Sequence, residues 1–131
     1  MSLPREMTVV EIAAPGGPEQ LKTATRPVPQ PGNDEVLVRV EAAGINRPDV
    51  MQRQGRYPPP PGASDLPGME IAGEIVALGP NVSRLSIGDK ITSLLPGGGY
   101  AAYAIAAAPL CMPIPAGLSM VEAADSALGA A

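Results

Sequence analysis

Apolar and polar residues alternate along this chain in short runs and seldom recur at helical spacing. In Glu35 to Ala42, Val36, Val38 and Val40 share one face and Leu37, Arg39 and Glu41 the other, the period of two that marks a strand. Met7 to Ala13 reads as a strand of less regular alternation, closed by Pro15, Gly16, Gly17 and Pro18, and Leu21 to Thr25 can return antiparallel to it. Arg26 to Gly32 holds three prolines in five positions, which fix φ and predict an extended loop. Met69 to Leu78 predicts a long strand in which Gly73 marks a bulge or a close approach of backbones. Turns at Gly79-Pro80-Asn81 and Gly88-Asp89 precede a short strand over Ile91 to Leu95. Pro96-Gly97-Gly98-Gly99 then leads into the apolar run Tyr100 to Ala107.

Helical signals are few. Asn46-Arg47-Pro48-Asp49 has the grammar of a helix start: a capping residue, a proline that tolerates the first turn, and an acid at the positive end of the dipole. Gly55 stops it after about two turns. Tyr57 to Gly62 (YPPPPG) predicts an exposed polyproline-like loop. Ser119 to Leu128 predicts a helix, with Glu122 at capping-box spacing from Ser119. No internal repeat is visible. Short strands between frequent turns predict a barrel or sandwich.

Composition narrows the class. The 131 residues suit one domain, spanning 1–131, that buries about two-thirds of the surface of its unfolded chain. Seventeen Pro and 15 Gly exclude a helical bundle, and 45% apolar with 17% charged residues argues against disorder. A mainly β domain remains. The net charge of −4 argues against binding nucleic acid or an anionic membrane. Cys111 is the single cysteine and histidine is absent, so no internal disulfide and no ordinary protein zinc site is expected, and the commonest acid–base group is missing. Leu3 is followed at once by Pro4, Arg5 and Glu6, unlike a signal peptide, and Tyr100 to Leu110 is too short to span a bilayer. A soluble cytoplasmic protein is the expectation.

Several motifs have plain structural explanations. Gly97, Gly99 and Ala102 match G-x-G-x-x-A, but Pro109 would end the following helix too early for a crossover, so a glycine hairpin turn explains the run better. Asn81-Val82-Ser83 reads as a turn. Glu70 and Glu74 share a strand face, where their ordinary role is to accept backbone hydrogen bonds or meet solvent. Cys111, between Leu110 and Met112, reads as a small buried hydrophobe. Asn46 and Tyr57 both follow a strand end and offer uncharged hydrogen-bond donors. Spacing alone makes Asn46 a cap and Tyr57 an amphipathic surface ring, with a functional role as the alternative.

The strings Ala43-Gly44-Ile45-Asn46-Arg47-Pro48-Asp49 and Met51-Gln52-Arg53-Gln54-Gly55-Arg56-Tyr57 resemble the zinc-free quinone oxidoreductases of the medium-chain dehydrogenase/reductase superfamily. Pro67-Gly68-Met69-Glu70-Ile71-Ala72-Gly73, Gly88-Asp89 and Leu95-Pro96-Gly97-Gly98-Gly99-Tyr100-Ala101 continue the likeness in register, from about Met7 to Ala124. It is most similar to the branch that includes the p53-inducible quinone oxidoreductase. The resemblance implies a GroES-like, partly open β-barrel with short helices that forms one wall of an active-site cleft. In the family a following Rossmann domain binds NADPH, and hydride passes from the nicotinamide to a quinone.

By the same resemblance, Asn46 and Tyr57 line the cleft and contact cofactor or substrate, and Asp49 is a further cofactor contact. Asn46 would orient nicotinamide or quinone through its amide, and Tyr57 would supply a ring face and a hydroxyl. Zinc-dependent relatives place a Cys where Asn46 stands and Gly-His-Glu where this chain has Gly68-Met69-Glu70, and the four-cysteine structural zinc lobe is also missing, so no zinc is implied. The segment 112–131 would lead into a nucleotide-binding domain that the chain lacks. That predicts an exposed apolar patch there with homo-oligomerisation through it, and no turnover of NADPH by this chain alone. Two other readings stand beside this one: a binding module, alone or joined to a second chain carrying the nucleotide domain, and a co-chaperonin-like ring protein suggested by fold alone.

Overall fold

The computed structural model describes residues 3–115 and 117–124. Strand β1 (Glu6–Ile12) and strand β2 (Leu21–Pro27) form an antiparallel hairpin in which Val9 faces Ala24. They are joined through Gly16, Gly17 and a single 3-10 turn, Pro18–Gln20. Next come β3 (Glu35–Ala43), helix α1 (Arg47–Arg53), β4 (Glu70–Leu78), β5 (Lys90–Leu94), β6 (Tyr103–Ala107) and β7 (Met112–Pro113). These later strands form a five-stranded antiparallel sheet in the order β6-β3-β4-β5-β7. The described residues therefore form two sheets and no closed barrel, as a partly open barrel requires, and every strand pair is antiparallel.

Residues 100–102 stitch the sheets together. Val9 bridges Ala101, Val10 N–H donates to Tyr100 O, Ala102 N–H to Thr8 O, and Val40 N–H to Ala102 O. Without Phe or Trp, the main core is built from β-branched and small residues that suit a pleated surface: Val36, Val38, Ile71, Ile75, Ile91, Ala104 and Ala106. Cys111 lies in the same cluster, and burial pushes its thiol up from the ordinary value, in keeping with a small core hydrophobe.

Gly73 is a point of close approach. A Cβ there would lie 2.1 Å from the carbonyl oxygen of Arg39 on β3. The ladder shifts register beside it, between Val40 and Ala42, and again between Leu37 and Val38. The glycine run after β5 is not a hairpin turn, contrary to expectation. Strands β5 and β6 are not neighbours in the sheet, so residues 95–102 cross over β4 and β3 to reach the far edge.

The described residues beyond β6 pack largely on the same domain. Met112–Pro113 pairs with β5, and Ala123 and Ala124 are buried against Ala72. The Thr92 hydroxyl lies 2.9 Å from Ile71 O and 3.0 Å from Ala123 O, which pins that contact. Ser119 and Glu122 form the expected capping box at the start of a helical turn. The expected apolar patch is thus reduced to exposed Leu118 and Val121 within the described part of 112–131, and the rest of the helix expected to end at Leu128 lies outside the described residues.

Candidate active site

Strand β3 ends at Ala43, and Gly44 N–H donates to Glu70 O at the start of β4. The chain then enters α1 with Asn46 in the capping position and Pro48 in the first turn, as its grammar predicts. The Asp49 carboxylate reaches back to accept the Asn46 N–H at 3.0 Å, and the Asn46 carbonyl accepts the Asp49 N–H. The Asn46 side chain points to β4, where Nδ2 donates to Glu70 Oε1 at 3.3 Å. Glu70 is 2% exposed and lies over Gly44, where a Cβ would collide with its carboxylate. Glu70 thus accepts a side-chain amide among its partners.

Asp49 is the hub of this region. It is 4% exposed, and besides Asn46 it accepts Gly68 N–H on Oδ1 at 3.1 Å and the Tyr100 hydroxyl on Oδ2 at 3.1 Å. Burial, then the negative charge of Asp49 and its hydrogen bond, raise the Tyr100 phenol well above its ordinary value, so the hydroxyl stays a proton donor even where a free phenol would ionise. The glycine run serves this packing. Gly98 N–H donates to Leu66 O, Gly99 N–H to Gly68 O and Tyr100 N–H to Pro67 O, so residues 98–100 lie flat against 66–68. Gly68 has φ +105, and a Cβ there would meet the Tyr100 backbone nitrogen at 2.6 Å.

Beside the hub lies a cavity of about 180 Å³, lined by Leu21, Ile45, Asp49, Val50, Arg53, Pro67 and Tyr100. Ile45, next to Asn46, is 79% exposed. Asn46 and Asp49 thus meet in one network, whereas Tyr57 stands apart from it: its side chain is half-buried and makes no hydrogen bond among the described residues. The loop that follows Tyr57 is tethered at its far end. Arg26 forms a two-pronged pair with Asp65 at 2.6 and 2.9 Å and also holds Glu11, while Gln52 Nε2 donates to Asp65 O. The Arg26 hydrogen bonds hold the Asp65 carboxyl below the usual carboxylate range. Sequence reasoning missed Tyr100, whose partner lies 51 positions away.

Residues 32–116, more than half the chain, match the family described as the alcohol dehydrogenase GroES-like domain. The chain belongs to that family. This GroES-like domain is 40% identical over 105 residues to the quinone oxidoreductase of Lama guanicoe, a match covering 79% of this chain and 32% of that protein. Among solved structures, the human synaptic vesicle membrane protein VAT-1 homolog-like protein superposes with a TM-score of 0.83 at 33% identity, over 91% of this chain and 38% of the other. A mycobacterial protein solved in complex with NADPH gives 0.75 at 33% identity, over 87% and 34%. The chain thus spans about a third of the length of the relatives it matches. Among the described residues there is no group of three or more His, Cys, Asp or Glu able to hold a metal, and no helix long and apolar enough to cross a membrane.

Proposed function

We propose that this domain forms the substrate-side wall of a zinc-independent, NADPH-dependent quinone reductase. The observation that carries the reading is the setting of Asn46: an uncharged amide at the mouth of α1, held by buried Glu70 where the metal-dependent relatives carry a thiolate. The donor set does not suit zinc, because histidine is absent and the single cysteine is a core residue. A cytoplasmic setting belongs to the same reading and suits a chain whose single cysteine is a buried, free thiol.

The residues suit the ring end of the cofactor and its acceptor. Tyr57 offers a hydroxyl that has no partner among the described residues, the chemistry needed by a quinone oxygen as negative charge builds on it. When bound, the nicotinamide supplies two electrons and a proton as hydride, and a second proton from solvent completes the hydroquinone. Asn46 orients the flat rings, Tyr57 donates to the quinone oxygen, and Asp49 supports the cofactor contact by holding the Asn46 backbone. No phosphate seat is evident among the described residues: α1 has seven residues, and Pro48 removes one of its leading N–H groups. On this reading the 131-residue chain alone does not oxidise NADPH.

The test joins this domain to the nucleotide-binding half of the guanaco quinone oxidoreductase and follows NADPH absorbance with a benzoquinone. Asn46→Ala and Tyr57→Phe should each lower kcat/KM about tenfold or more, the worth of one lost hydrogen bond in the transition state. Unchanged kcat/KM in both variants overturns the residue roles, and NADPH oxidation by the 131-residue chain alone overturns the division of labour.

A further inference from the structure

Asn46 is held at two points, one by Glu70 itself and one by Asp49, which is in turn tied to Gly68. Its side chain bonds Glu70, and its backbone N–H bonds Asp49, whose other oxygen takes Gly68 N–H. Tyr100 closes this arrangement from outside. Its backbone N–H grips Pro67 O, its ring lies against Gly68, and its hydroxyl donates to the same Asp49 oxygen that holds Asn46. We infer that Tyr100 is a positioning residue for Asn46, acting through the carboxylate of Asp49.

The physical reason lies in the geometry of Asp49. A short carboxylate at the third position of a seven-residue helix has rotational freedom unless both oxygens are engaged. Gly68 N–H fixes Oδ1 from the β4 side. Oδ2 is shared between Asn46 N–H and the Tyr100 hydroxyl, so the phenol defines the direction from which Oδ2 meets the helix start. Removing the hydroxyl leaves the ring in place and both oxygens still engaged, by Gly68 N–H and Asn46 N–H, but Oδ2 then follows Asn46 alone with no third point to hold it, and the entry angle of the chain at Asn46 loosens. A phenol is protonated across the neutral range, and burial and Asp49 extend that state of Tyr100 into alkaline solution where a free phenol would ionise.

The functional weight of Asn46 rests on the reading given above, but the coupling does not, and it is measured on the 131-residue chain. In Tyr100→Phe, amide exchange at Asn46 and Gly68 should quicken about tenfold or more, with a shift in the Asn46 side-chain amide resonances. Exchange at Val38 should stay unchanged, and Tyr57→Phe should leave Asn46 as it is. Unaltered exchange and resonances at Asn46 in a folded Tyr100→Phe protein overturn the inference. Should that variant not fold, the wild-type protein decides: a slowly exchanging Tyr100 hydroxyl proton with a nuclear Overhauser contact to the Asn46 N–H supports the coupling, because both donors meet on Asp49 Oδ2. A hydroxyl proton that exchanges as fast as a free phenol's refutes it. Either result leaves the quinone reading to the Asn46→Ala kinetics, so the two ideas fail separately.

Discussion

Truncating the hub gives the sharpest test of the site's construction. Asp49→Ala removes a 4% exposed carboxylate and strands three donors: the N–H groups of Asn46 and Gly68 and the hydroxyl of Tyr100. Gly68 is buried, so its orphaned N–H bears close to the full desolvation penalty, about 2 kcal/mol. Asn46 and Tyr100 are half-buried and regain part of their bonding from water, which leaves about 1 kcal/mol each. The whole loss is about 4 kcal/mol, a large share of the ~5–15 kcal/mol that holds a domain folded. With a urea dependence of about 1.5 kcal/mol per molar, the unfolding midpoint should fall by roughly 2.5 M. Asp49→Asn keeps one acceptor oxygen but turns an amide N–H toward a donor, so it should fall between the two. Equilibrium urea unfolding followed by far-ultraviolet circular dichroism reads all three proteins. An Asp49→Ala midpoint within about 0.3 M of wild type would show that these donors do not depend on the carboxylate.

Two further perturbations test the frame around the site. Gly73→Ala drives a methyl to 2.1 Å from Arg39 O, forcing β3 and β4 apart at a cost of about 3 kcal/mol; calorimetry should show Tm lower by about 10 °C, and a drop below about 3 °C would deny the close approach. Asp65 has a folded-state pKa below its ordinary 3.8, so its contribution to stability is complete above that value and is lost as pH falls through the lower folded one. The Tm gap between wild type and Asp65→Asn should therefore shrink on acidification from pH 7 to about pH 2, and shrink also in high salt because the pair is exposed; a gap that widens in acid contradicts the assignment.

Local chemistry was legible and distant pairing was not. The alternation of Val36, Val38 and Val40 located β3, and Asn46, Pro48 and Gly55 bracketed α1, because a strand period and a helix cap are written within a few residues. Gly73 announced a close approach, though its partner Arg39 could only come from the sheet. The glycine run reads as a hairpin turn and is not one. That it carries the chain across two strands, and flattens residues 98–100 against 66–68, depends on sheet order, which no local pattern encodes. At the site, the resemblance brought out Asn46 and Asp49, but Tyr100 sits in an apolar run with nothing nearby to mark it, and its role follows from a partner 51 residues away. The bond from Asn46 to Glu70 spans 24 positions and was missed for the same reason.

The strand order also bears on synthesis. Strands β3, β4 and β5 are consecutive in the chain and adjacent in the sheet, so they can pair as soon as residue 94 has left the ribosome. Their two outer edges wait for β6 and β7, at Tyr103–Ala107 and Met112–Pro113, which seal opposite sides. A nascent chain halted near residue 100 would thus present two bare hydrogen-bonding margins at once, and the stretch from Tyr103 to Pro113 protects the newborn sheet from sticking to its neighbours.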